Sequence, residues 1–244
     1  MKTILLSLSI ICFTSALAQE SVGEVLTQQS KWTFGWVYSP EVSHRILGEG
    51  TEANQSTSGI IDSRNDLERA KFGQSFSLFL GYRVSKTFTL EGGFGYTDFG
   101  EGLKPVDLTS VWAPEEIFGS YYGVNHLHVA SLPITLHVNL GGQRVKWFVS
   151  AGVAPSLLMS ANSTSRIEYS NGDVQTSSYF SNSAQEEYSR FILGANVSAG
   201  IDYQYSEKAS LRIAPVFRMT ATNAYAQNPI RANYFNAGLE IGTV

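Results

Sequence analysis

From about residue 31 onward the chain alternates apolar and polar residues with period two, and it does so eight times. Between 209 and 223, Leu211, Ile213, Pro215, Phe217 and Met219 fall on one parity and Arg212, Ala214, Val216, Arg218 and Thr220 on the other. In a strand these are opposite faces. Between 190 and 205, Phe191, Leu193, Ala195, Val197, Ala199, Ile201, Tyr203 and Tyr205 oppose Arg190, Asn196, Ser198, Asp202 and Gln204. The eight runs cover 31–47, 72–84, 87–99, 122–140, 145–160, 188–205, 209–223 and 231–243, and the helical period is nearly absent. Three connections are tight (85–86, 141–144 and 206–208) and four are long (48–71, 100–121, 161–187 and 224–230). Long and short alternate without exception. In an up-and-down meander every second connection lies at the same end, so one end carries short turns and the other long loops, as in outer-membrane barrels. A Greek-key sandwich does not sort its loops this way.

Each run supplies the ~9–11 residues that a tilted strand needs to cross hydrocarbon. In lipid the sheet must close, because an open edge leaves backbone polar groups unpaired. The expected fold is therefore all-β, an eight-stranded antiparallel up-and-down transmembrane β-barrel over residues 31–244. Aromatic residues near the run ends (Trp32, Trp36, Tyr38, Tyr121, Tyr122, Trp147, Tyr203, Tyr205, Tyr234) suit girdles at the two interfaces. Only 16% of residues are charged, yet mean hydropathy is −0.06. An average over an apolar outside and a polar inside gives that combination.

Residues 1–18 read as a cleaved signal peptide. Lys2 supplies the positive start, Leu5 to Phe13 the apolar run, and Ala16-Leu17-Ala18 the small-residue cleavage site. Residues 19–30 then form a short periplasmic segment. The lone cysteine, Cys12, lies inside the leader and follows Ile11, where a lipoprotein signal wants a small residue. The mature chain so defined has no cysteine, hence no disulfide framework or thiolate metal site. A net charge of −4 without a basic stripe sets nucleic acid aside as a partner. The partners expected are outer-membrane lipid and other envelope proteins, met through the external loops or the periplasmic tail.

The parity opposite the apolar one carries Glu41, Arg45, Arg83, Glu91, Arg190, Asp202, Arg212, Arg218 and Glu240. An eight-stranded barrel is just wide enough for side chains to fill. A selective pore usually shows a bias of one sign. Four acids with five bases instead predict a structural network of paired charges that fills the lumen, with Arg212 and Arg218 meeting Glu240 and Asp202 across neighbouring strands.

His126 and His128 share a face two residues apart, but no third ligand stands at a useful spacing, and strand-end side chains near the outer rim are the expectation. His137 falls on the lumenal parity, and His44 at the top of the first run. No catalytic residue, metal or cofactor is expected. There is no G-x-S-x-G, and no His-x-Ser pair of the kind found in lipid A deacylase barrels. His128 and Ser131 have opposite parity. The glycine-rich stretch Gly92 to Gly100 is followed by no helix and reads as a bend. Asn54-Gln55-Ser56 and Asn162-Ser163-Thr164 match the glycosylation sequon and lie in long loops.

Several stretches together resemble one family. They are the opening run from Trp32 to Arg45 with its Ser39-Pro40; Leu127-His-Val-Ala-Ser-Leu-Pro-Ile-Thr-Leu136; Lys146-Trp-Phe-Val-Ser-Ala-Gly-Val-Ala-Pro155; and Leu211-Arg-Ile-Ala-Pro-Val-Phe-Arg218. In order and spacing they resemble the PorT-like outer-membrane β-barrel proteins of Bacteroidota. The resemblance spans most of 31–243 and implies an outer-membrane barrel. The sequence departs from the pattern at Gly242-Thr243-Val244, where such barrels usually end on an aromatic residue. The resulting expectation is a non-enzymatic structural or interaction protein of the cell outer membrane. The alternatives are a narrow pore or a subunit of an envelope secretion or transport assembly, a lipid-modifying enzyme, and a soluble lipocalin-like binder with an apolar interior.

Overall fold

The computed structural model describes residues 30–51, 53–109, 117–142, 144–181, 188–226 and 229–244. The leader expected over 1–18 and nearly all of the 19–30 segment lie outside these residues. The strands are β1 (Trp32–Glu49), β2 (Glu68–Arg69), β3 (Lys71–Arg83), β4 (Phe88–Leu103), β5 (Val106–Thr109), β6 (Ile117–Ser131), β7 (Ile134–Gly141), β8 (Val145–Tyr169), β9 (Val174–Ser181), β10 (Phe191–Gln204), β11 (Ser210–Thr220) and β12 (Ile230–Thr243). A helix, α1 (Gln55–Leu67), precedes β2.

Every strand pairing is antiparallel, and the pairings run in a circle. β1 lies between β12 and β3, β3 pairs β4, and β4 pairs both β6 and β7. Those two pair β8, β8 pairs β10, and β10 leads through β11 back to β12. With β6 and β7 sharing one place, the circle has eight places, which correspond to the eight alternating runs. The interruption between β6 and β7 falls at Leu132-Pro133, because proline has no N–H for the ladder. The neighbours hold the chain on course, with Leu132 N–H donating to the Pro155 carbonyl at 2.9 Å and Gly93 N–H to the Pro133 carbonyl at 3.1 Å.

The outward parity is apolar. Trp32, Phe34, Tyr38, Val42 and Ile46 of β1 and Trp147, Val149, Val153, Leu157 and Met159 of β8 are all exposed. Exposed aliphatic and aromatic surface of this extent, wrapped around a closed sheet, fits a solvent of hydrocarbon instead of water. At the short-turn end Trp32 packs on Tyr82 with ring centroids 4.8 Å apart, and Trp147, Tyr203 and Tyr205 are exposed at the same end of the sheet.

The long connections differ from the solvated loops expected of them. Residues 48–71 contain α1. The Asn54 side chain caps it, accepting from Ser56 N–H at 3.0 Å, while the Asn54 N–H donates to Thr57 Oγ1 at 3.0 Å. Thirteen residues with a single well-buried apolar side chain, Ile61, show little helical periodicity, so the helix was invisible to pattern reading. Ile61 joins a buried cluster inside the ring with Leu47, Phe99, Leu127, Tyr188 and Ile192. Near the long connections the interior is therefore apolar around a single arginine–carboxylate cluster, where the sequence predicted charge throughout. Residues 161–181 also differ, because β8 continues to Tyr169 and turns at 170–173 into β9. With β5 and the upper part of β6 they form a sheet that projects beyond the ring. Ser/Thr/Asn-rich strands read as loop because neither face is apolar. Finally, β4 runs on to Leu103, and Gly100 adopts φ +153°, a backbone geometry that side chains disfavour. There β4 leaves β3 and meets Ser43 of β1, whose Oγ accepts from Gly100 N–H at 2.8 Å and donates to its carbonyl at 3.0 Å.

Candidate functional site

Inside the ring the charged side chains form three clusters, each of one arginine with two carboxylates. The first lies near the short turns. Arg212 of β11 grips Glu91 of β4 through two parallel bonds of 3.0 Å, and Asp202 of neighbouring β10 at 2.9 and 3.1 Å. Two-pronged pairing of this kind uses the planar guanidinium fork. The guanidinium also stands over the rings of Phe79 and Phe148, at 5.1 and 4.9 Å from their centroids. His137 Nε2 lies 2.8 Å from Glu91 Oε2.

The second cluster is at mid-height. Arg218 bridges Glu41 of β1 and, at 2.6 Å, Glu240 of β12. Ser75 Oγ (2.8 Å) and Asn236 Nδ2 (2.6 Å) donate to the other Glu41 oxygen. Glu41 is 2% exposed, so an unpaired charge there would be costly.

The third cluster lies under α1. Arg45 pairs with Glu68, with Glu101 at 3.1 Å, and with the hydroxyls of Tyr225 and Tyr234. Tyr225 belongs to the connection between β11 and β12. Burial pushes its phenol above the ordinary tyrosine value, against the pull of Arg45, so it stays neutral.

The alternation thus placed Glu41, Arg45, Glu91, Asp202, Arg212, Arg218 and Glu240 on the face where the structure finds them. Arg212 meets Asp202, and Arg218 meets Glu240. One residue falls elsewhere. Arg190 precedes β10 and is exposed, because that strand begins at Phe191 and not at 188. Arg83 is half-buried at the foot of β3. Sequence reasoning missed Glu68 and Glu101, since both sit in stretches read as loop. Glu68 directly follows α1, and a helix assignment there would have been the only route to it.

Between the first two clusters is an internal cavity of about 80 Å³, lined by hydroxyls including those of Ser77, Thr97, Thr135, Ser150 and Ser198. That is room for a few waters, far below the ~300–1,000 Å³ of a small-molecule pocket. Glu91, His137 and Ser150 stand in the order of a hydrolytic triad, since His137 and Ser150 are cross-strand neighbours. However, His137 Nδ1 has no hydrogen-bond partner among the described residues, and the Ser150 hydroxyl bonds Ser198 instead, at 2.7 Å.

A second polar group interrupts the outward face. His128 is held on both sides, with Asn162 Nδ2 donating to its Nε2 (3.0 Å) and its Nδ1–H donating to Tyr96 Oη (2.6 Å). His126 stacks on His128 with centroids 5.9 Å apart, and its Nδ1 faces Asp98 at 3.0 Å. Lys71 closes the group, 2.8 Å from Asp98. Both His128 nitrogens are taken by side chains, and no set of three His, Cys, Asp or Glu among the described residues could hold a metal ion.

A closed antiparallel sheet, apolar outside and ion-paired within, defines an outer-membrane protein. Residues 47–221 match the family model described as outer membrane protein beta-barrel domain, and the chain belongs to that family and resides in the outer membrane. No curated protein matches it. Similar solved structures include Neisserial surface protein A (NspA), at 13% identity over 87% of this chain and 99% of that one, with a TM-score of 0.37. The outer membrane protease OmpT from Escherichia coli has 8% identity over 90% and 98%, with a TM-score of 0.41. Ail, the attachment invasion locus protein of Yersinia pestis, has 8% identity over 86% and 97%, with a TM-score of 0.28.

Proposed function

We propose that this chain is an eight-stranded, up-and-down transmembrane β-barrel with a filled interior, acting without catalysis as a structural or interaction protein of the cell envelope. The observation that carries this reading is the stack of three arginine–carboxylate clusters, the uppermost set within an apolar stopper. The cavity between the first two clusters has room for only a few waters. The contact surface for partners is then the projecting sheet. Its edge strand β9 pairs only with β8 among the described residues, and residues 174–180 are exposed on both faces. This strand, Val174-Gln-Thr-Ser-Ser-Tyr-Phe-Ser181, carries no charge, proline or bulge of the sort that blunts a sheet edge. Tyr179 and Phe180 are exposed on it.

The motifs that resemble the PorT-like family support a narrower second reading, a subunit of an envelope secretion or transport assembly. A photo-crosslinking residue placed at Tyr179 in native membranes tests both. Capture of one defined envelope protein is expected, falling several-fold with Phe180→Ser. A defined multiprotein complex selects the assembly reading, and only self-products or lipid would end the interaction reading.

A further inference from the structure

The three interior clusters do not balance. Each sets one arginine against two carboxylates and is left with one negative charge in excess. Two of them have a further cation at hand. In the first, Lys146 of β8 stands directly across the strand pair from Asp202. In the third, Arg64 lies 3.8 Å from Glu68. The second has no such neighbour. Among the described residues Arg218 is the only cation that pairs with Glu41 or Glu240. Glu41 takes its other bonds from the neutral Ser75 hydroxyl and Asn236 amide. An excess charge at mid-height, inside a wall that faces hydrocarbon, is expensive unless something neutralises it.

The cavity between the first two clusters borders that charge. Glu240 lines it and is 9% exposed. Its Oε1 accepts from Arg218 at 2.6 Å, and its Oε2 has no partner among the described residues. His137, 4% exposed, lines the same space, with Nε2 on Glu91 and no partner at Nδ1 among the described residues. Around them stand the hydroxyl oxygens of Ser77, Thr97, Ser150 and Ser198. The two arginines on the wall do not make this an anion site, because their N–H groups are already spent. Arg212 uses Nε, Nη1 and Nη2 on Asp202 and Glu91, and Arg218 uses Nη1 and Nη2 on Glu41 and Glu240.

Charge and ligand type select the occupant. A single negative charge in excess matches a monovalent cation. Carboxylate and hydroxyl oxygens are ligands for hard ions. No set of three His, Cys, Asp or Glu among the described residues could hold a transition or divalent metal. The cavity, about 80 Å³, admits a small ion together with water. We infer that the central cavity binds an alkali-metal cation on Glu240 Oε2 and the surrounding hydroxyl oxygens, as the counter-ion of the Arg218 cluster. The inference rests on the transmembrane reading above, because the hydrocarbon around the wall is what makes the excess charge expensive.

Urea unfolding of the protein in phospholipid vesicles, in sodium, potassium or choline chloride at equal ionic strength, tests it. Choline carries its charge behind methyl groups and cannot take oxygen ligands. With the alkali ion tenfold above its Kd, the folded population is expected to rise about tenfold over that in choline. In urea that is a midpoint shift of roughly 0.5 M. Glu240→Gln removes the excess charge. That variant is expected to lose the alkali-specific shift and, in choline, to be at least as stable as wild type. Crystals of the wild-type protein soaked in rubidium chloride are expected to show an anomalous peak beside Glu240, a readout that needs no variant. A Glu240→Gln protein that keeps the shift, or that is weaker than wild type in every salt, would overturn the inference, as would a cavity without rubidium. Wild-type midpoints equal in all three salts and falling as pH rises would put a proton there instead of a metal ion. Absence of heat-modifiable migration and of membrane insertion in the wild-type protein would sink the transmembrane reading itself.

Discussion

Replacing Arg212 by methionine is expected to lower unfolding stability by ~3–5 kcal/mol, the cost of removing one partner from a buried ion pair. Arg212 is 4% exposed and satisfies two carboxylates on two different strands. Methionine restores most of the volume and the contact with Phe79 and Phe148, so the loss reports charge and not a cavity. Glu91, 6% exposed, then keeps only His137 as a partner. Removing the stranded charges should recover much of the loss, since an apolar replacement of a whole buried ion cluster is often close to neutral. The triple variant Arg212→Met, Glu91→Gln, Asp202→Asn is therefore expected to unfold nearer the wild-type urea midpoint than the single variant does. Urea titration of the protein in phospholipid vesicles, read by heat-modifiable migration, checks both. A single variant as stable as wild type would show that the cluster is not what holds this end of the barrel.

The second large effect belongs to Arg45. This residue ties β1 to Glu68, to Glu101 on β4, to Tyr234 on β12 and to Tyr225 outside the strands. Because Glu68 directly follows α1, the helix is moored to the wall through this guanidinium. Arg45→Met leaves Glu68 with the partly exposed Arg64, 3.8 Å away, and leaves Glu101 with the Asn125 amide at 2.9 Å. The expected result is local opening, with the 53–70 segment cut by protease at least tenfold faster, because a loss of a few kcal/mol in closing energy raises the open population by that factor or more. The heat-modifiable band should remain, since the strand ladders of β1 to β3 and β12 are untouched. In planar bilayers neither wild type nor this variant should carry a steady current, because the Arg218 and Arg212 clusters still fill the lumen. Steady openings of the wild-type protein would end the filled-lumen reading.

The alternation of side chains settled a good deal before any coordinates. Because the period of a strand is two, the parity of Glu41, Arg212 and Glu240 against Phe217 and Leu239 already assigned an inside and an outside. The alternation of tight and long connections assigned two ends. That Arg212 and Arg218 would meet Glu240 and Asp202 across neighbouring strands was legible from shared parity, but which arginine takes which carboxylate was not. What the sequence could not assign was anything fixed by contacts between distant segments. Helix α1 has almost no apolar face, and its one anchor, Ile61, becomes meaningful only beside Leu47 and Phe99. Glu68 and Glu101 become ion-pair partners only because the chain after α1 and the end of β4 turn inward over Arg45. The strands that project beyond the ring lack an apolar side, so no hydrophobic pattern marks them, yet they form the exposed sheet edge at β9. Local patterning thus determined the wall, which is repetitive and answers to one solvent boundary. Tertiary packing decided the stopper and the external surfaces, where each contact joins residues with no shared period.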